Sequence, residues 1–171
     1  MRSSIDLCSE VPIMPKRSPK TSALLAIFWA GLIAGAMDIT AAFVTWAPQG
    51  VSPIRILQGI ASGLLGTKAF AGGWETAALG LVCQFFIAFS AATVFYVASR
   101  KLTFMTRRPI VSGILYGVAV YVVMYWIVMP LSNFHKRPFS WSATLIAIIT
   151  HMLCVGTPIS LVVNRFSRNS S

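Results

Sequence analysis

The chain has 171 residues, 56% of them hydrophobic and only 11% charged, with a mean hydropathy of +0.75, a balance that excludes an ordinary soluble surface. A formal net charge of +10 would suit nucleic acid. The basic residues, however, lie in short segments between apolar runs and not along one helix face, so a nucleic-acid partner is not expected and the pattern is the orientation signal of a multi-pass membrane protein.

Residues 1–21 carry three prolines and no periodicity, which predicts a disordered cytoplasmic tail. The apolar run 22–46 follows. A hydrocarbon core of about 30 Å needs roughly 20 apolar residues in helix, so this run is the first predicted span. Lys16 to Lys20, then Ala23 to Ile33 and Ala34-Gly35-Ala36, also fit a secretory signal peptide cut after Ala36. Apolar character continuing from Ile39 to Trp46 favours a full-length anchor over a short leader core. Within the run Gly31, Ala34, Gly35, Asp38, Ala41, Ala42 and Thr45 form a stripe of small residues, so the one carboxylate lies on the face best suited to close helix packing.

The stretch "WAPQGVSP" (46–53) breaks the first span, and "SPIRILQGIASGLLG" (52–66) begins anew with Ser52 as N-cap and Pro53 at the first helical position, closing at Gly66. A helix over about 53–65 is roughly 20 Å long, too short to cross a bilayer. Its apolar and polar residues separate, with Arg55, Gln58 and Ser62 on one side, which predicts a short outer helix. That helix is either interfacial, or re-entrant and packed over the bundle, with Gly59 and Gly63 allowing close approach.

Three further spans are predicted at 74–99, 110–131 and 141–163, separated by "AFAGGW" (69–74) and by Pro130 near the end of the third. A membrane domain thus covers 22–166, and 167–171 forms a short cytoplasmic tail. Cys8, Cys83 and Cys154 make no evenly paired framework, so free thiols are expected. Basic residues before the first span, between the second and third, and after the fourth number ten, against four in the other flanks (Arg55, Lys68, Lys136 and Arg137). Both termini are therefore expected in the cytoplasm, which places Trp46, Trp74, Trp126 and Trp141 near the outer boundary.

Counting inward from those ends puts Asp38 about 12 Å deep and Gln84, Tyr121 and His151 about 15 Å deep. An acid, an amide, a phenol and an imidazole at matching depth can satisfy one another and so reduce the cost of burial in hydrocarbon. Small residues accompany each of them: Gly80 and Ala88 with Gln84, Gly113 and Gly117 with Tyr121, Thr144 and Ala147 with His151. An internal polar layer is expected.

No catalytic, cofactor-binding or metal-binding set emerges. His151, Cys154, Asp38 and Cys83 lack the paired spacing of a metal motif. Ser62 with His151 lacks the glycine of an intramembrane serine protease, because Ile60 stands two residues before the serine. Glu75 is explained by solvation at the outer boundary. The chain is not expected to be an enzyme or to carry a cofactor.

The stretches "AGAMDITAAF", "SPIRILQGIASGLLG", "GGWETAALGL", "RRPIVSGILYGVAVYVVMYWIVMPLS" and "HMLCVGTPISLV" resemble, in that order, a family of small four-span bacterial inner-membrane proteins of uncharacterised activity. The resemblance covers roughly residues 27–166. It implies a four-span bundle in the cytoplasmic membrane and singles out Asp38, Arg55, Gln58, Gly73, Thr76, Pro130 and His151. In that family the place of Gln84 is often a histidine, a departure that weakens any metal or two-histidine relay here. A looser likeness connects the chain with bacterial inner-membrane proteins linked to acid tolerance.

The expected architecture is all-α: four transmembrane helices in an antiparallel bundle plus the short outer helix, with the lipid bilayer as partner. The expected role is structural or accessory, the polar layer specifying packing. The alternative is a small proton-linked permease or channel in which Asp38 and His151 exchange protons; it calls for a homo-oligomer, because four short helices leave little room for a central path.

Overall fold

A computed structural model describes residues 19–133 and 140–168. The expected tail up to residue 18, the pair Lys136 and Arg137, and residues 169–171 lie outside the described residues. Four helices are long and apolar enough to cross a membrane: Thr21–Gln49, Gly73–Lys101, Pro109–Leu131 and Trp141–Ser167. No strand occurs among the described residues. Helix is what a bilayer demands of such runs, because hydrocarbon offers no water to backbone N–H and C=O groups and a helix satisfies them within the segment.

A third or less of each span's apolar window is buried within the chain. Leu24, Phe86, Leu115, Ile146 and Leu153 are exposed, an arrangement that suits lipid on the outside and would be untenable in water. The first span packs on the second and on the fourth, and the third packs on the fourth. Their shared core comprises Ala30 and Ala34, Ala92 and Phe95, and Val155, Ile159 and Val163, with Tyr116 and Val120 of the third span packed against it. These residues precede Asp38 and follow Gln84 and His151 in their spans, so the apolar core fills the half of the bundle away from the outer helix.

Close approach depends on glycine at particular places. A Cβ on Gly156 would overlap the Gly113 carbonyl oxygen, and one on Gly117 would fall 2.6 Å from the His151 carbonyl oxygen. The third and fourth spans therefore cross with backbone against backbone. Between the first two spans, the surface left by Gly31 and Gly35 is filled by the rings of Phe89 and Phe85.

The outer helix runs Pro53–Leu65, with the Ser52 hydroxyl accepting from the Arg55 N–H at 3.4 Å. It ends at Gly66, whose φ of +61° needs a residue without a Cβ. It packs alongside the start of the second span. The close approach comes from Gly80, where a Cβ would overlap the Leu57 carbonyl oxygen, and not from Gly59, which has no neighbour within 4 Å. Gly63 faces Ser132 at ordinary contact distance. The Asn133 backbone N–H and side-chain amide then cap the Gly63 and Leu64 carbonyls at 2.9 and 3.0 Å. The helix is thus packed over one end of the bundle and capped from the third span.

Gly156→Ala should lower stability in detergent by about 1–3 kcal/mol through overpacking. Gly59→Ala should be neutral or gain up to about 1 kcal/mol from helix propensity. Unfolding titrations of the two variants check the contrast, and equal losses would contradict the crossing described.

Candidate functional site

The polar layer is built from two contacts. Gln84, nearly buried at 9% exposure, donates from Nε2 to Asp38 Oδ2 at 2.7 Å. A carboxylate accepts hydrogen bonds and an amide NH₂ donates them, so this is the pairing an acid in an apolar span requires. Both residues lie between small neighbours, Gly35 on one helix and Ala88 on the other, which lets the backbones approach closely enough for short side chains to meet. The 151–156 turn of the fourth span, which carries Cys154, packs on the first span.

The second contact joins the third and fourth spans. The rings of Tyr121 and His151 meet edge to face, centroids 5.8 Å apart and planes at 74°. Tyr125 stacks on Tyr121 at the same centroid distance. His151 donates its Nδ1–H to the Ala147 carbonyl at 2.8 Å. A carbonyl can only accept, so Nδ1 carries a proton in this bond, and the tautomer it selects has Nε2 as its acceptor. Among the described residues no hydrogen bond or ion pair joins Asp38 to His151. The four groups of the layer are therefore brought together as two pairs.

Both members of the aromatic pair sit beside widened helical turns. The third span passes through a π turn at Met124–Val128 and the fourth through one at His151–Gly156. The Met129 N–H bonds to the Met124 carbonyl and the Thr157 N–H to the Met152 carbonyl, five residues back in each case. Each π turn ends two residues before a proline, Pro130 or Pro158. A proline ring collides with the carbonyl four residues earlier and has no N–H to offer it, and a widened turn makes room for the ring. The Thr157 hydroxyl adds a bond to the Met152 carbonyl at 2.7 Å. Pro158 and Gly156, inside an otherwise apolar run, were the available sequence signal for this irregularity.

Arg55 and Gln58 act locally. The Gln58 amide donates to the Gly73 carbonyl at 3.0 Å, and Arg55 donates to the Phe70 carbonyl at 3.4 Å while its guanidinium lies 4.7 Å from the Phe70 ring centre. The Thr76 hydroxyl adds a bond to the Ala69 carbonyl at 2.7 Å. These groups lock the 66–73 return onto the outer helix. Ser62 donates to the Gly59 carbonyl within its own helix, far in chain position and in role from a nucleophile paired with His151. Cys83 and Cys154 are free thiols. Among the described residues no group of His, Cys, Asp and Glu side chains is assembled as a metal-holding set.

Spacing alone did not reveal Tyr116. Its hydroxyl donates to the Ala91 carbonyl of the second span at 2.7 Å, and its ring meets Phe95 edge to face at 4.9 Å. Nor did it reveal the hydroxyl of Ser160, bonded to the Pro109 carbonyl, or the amide of Asn164, bonded to the Thr106 carbonyl. Compared with known proteins, the chain matches no family model, no curated protein and no solved structure.

Nitrogen-15 spectra of a His135→Asn variant, which leaves His151 as the one histidine, should show the Nδ1–H tautomer at alkaline pH. An Nε2–H tautomer would contradict the bond to Ala147.

Proposed function

We propose that this chain is a multi-pass protein of the bacterial cytoplasmic membrane, with both termini on the cytoplasmic side, and that its role is structural or accessory and not enzymatic. The observation that carries this reading is the use made of its polar side chains. Asp38 and Gln84 tie the first span to the second, Tyr116 ties the third to the second, and Ser160 and Asn164 tie the fourth to the third span and the segment before it. Among the described residues no buried side-chain nitrogen or oxygen lacks a hydrogen-bond partner. Groups consumed in mutual satisfaction specify register and packing.

The family resemblance fits the same reading. Of the positions it singles out, Arg55, Gln58, Gly73 and Thr76 fasten one loop. Orientation rests on the excess of Lys and Arg at the ends formed by Arg100 to Arg108 and by Arg165 and Arg168.

A proton-linked permease draws its support from the π turn that carries His151 and Cys154 and packs on the first span, the helix of Asp38. Irregular turns of this kind are frequent at functional sites. A homo-oligomer would be needed to enclose a path. The two readings separate in proteoliposomes under an imposed pH gradient. On the structural reading, proton flux does not exceed that of protein-free vesicles, while Asp38→Asn and His151→Gln only lower stability, by about 1 kcal/mol each. A flux that both substitutions abolish would replace it with the permease.

A further inference from the structure

The end of the bundle away from the outer helix holds an open cleft of about 490 Å³. Its walls come from the end of the second span (Ser99 and Arg100), the short helix Thr103–Arg107 (Thr106 and Arg107), the start of the third span at Pro109 and the end of the fourth at Asn164. The floor is fixed by bonds that cross between elements: Ser160 to the Pro109 carbonyl and Asn164 to the Thr106 carbonyl.

The distribution of donors defines what fits. Ser99, only 5% exposed, spends its proton on the Tyr96 carbonyl, and Thr106 spends its own on the Thr103 carbonyl. Asn164 gives an amide proton to Thr106. Among the described residues the guanidinium groups of Arg100 and Arg107 have no hydrogen-bond or ion-pair partner, and none of the cleft's lining residues is a carboxylate. Two exposed arginines without partners among the described residues line this open cleft, while the hydroxyls beside them retain only acceptor lone pairs. The complementary ligand carries a charged group rich in acceptor oxygens, with hydroxyls next to it. A phosphate held by two arginine forks meets the first requirement.

We infer that this cleft binds the phosphate of an anionic, hydroxyl-bearing headgroup, with Arg100 and Arg107 clamping its oxygens and Ser99 and Thr106 accepting from its hydroxyls. The ends of the second and third spans bring the cleft to the level of the bilayer boundary, where basic pockets between helices meet anionic lipids. The excess of basic residues at this end needs only exposed charges to orient the chain. It does not need two of them to line one cleft, and that difference can be measured.

The full chain, purified in mild detergent, is offered phosphatidylglycerol, phosphatidylcholine or inorganic phosphate, and retained ligand is read by native mass spectrometry with matched thermal melts. Phosphatidylglycerol should be retained in preference to phosphatidylcholine. Arg100→Gln with Arg107→Gln should weaken that retention by about tenfold or more. Lys101→Gln with Arg108→Gln removes the same charge from neighbours that do not line the cleft, and should change retention by less than about twofold. Circular dichroism confirms that both double variants keep their helices. Binding of inorganic phosphate, lost in the Arg100 and Arg107 variant and without lipid preference, assigns the same cleft to a free phosphate. Equal losses from the two double variants, or no preference for either anion over phosphatidylcholine, would overturn the site.

Discussion

An ionisable carboxylate within an apolar span must find its donor inside the protein, and the arrangement of this bundle follows from where Asp38 finds one. The Gln84 amide at 2.7 Å fixes the vertical register of the first two spans, since sliding one helix by a turn would part the groups by about 5.4 Å and leave an acid without a partner in hydrocarbon. In that register Gly31 and Gly35 stand opposite Phe89 and Phe85, so the polar contact and the apolar packing specify the same alignment. Agreement between levels of that kind is what gives a sequence one structure.

The layer also divides the bundle into halves of different character. On one side Ala30, Ala34, Ala92, Phe95, Ile159 and Val163 form the apolar core. On the other, the outer helix is held by side-chain and backbone bonds from Ser52, Gln58 and Asn133. The third and fourth spans cross through Gly113, Gly117 and Gly156, and both depart from regular α-helix ahead of their prolines. Backbone contact there brings Tyr121 and His151 to edge-to-face distance. The bundle is consequently a firmly registered pair joined to a pair whose helices are locally widened.

Much of this is legible in the residues because membrane spans are set by length and apolarity, signals that survive without tertiary information. The apolar runs 22–46, 74–99 and 110–131 announce themselves, and Ser52, Pro53 and Gly66 mark the outer helix through capping rules that are local. Depth counted from tryptophan positions places Asp38 and Gln84 in one layer, because helical rise is constant. Which members of a layer actually touch depends on helix rotation and crossing, and spacing does not carry that. Asp38 therefore pairs with Gln84 and not with His151. Gly80, instead of Gly59, receives the outer helix because only the partner's backbone determines which glycine is crowded. Tyr116 and Asn164 pair with main-chain carbonyls, and such partners leave no mark in residue types. The cleft at the basic end is equally invisible in sequence, where Arg100 and Arg107 read only as part of an orientation signal.

The central claim is that Asp38 and Gln84 act as one structural unit. It is tested most directly by a double-mutant cycle with Asp38→Leu, Gln84→Leu and the combined variant, followed by unfolding in detergent. The account predicts a coupling of about 1 kcal/mol or more, with the combined variant closer to the parent than the sum of the single losses. Additivity to within about 0.5 kcal/mol would contradict it and show that the two groups are held in the layer independently.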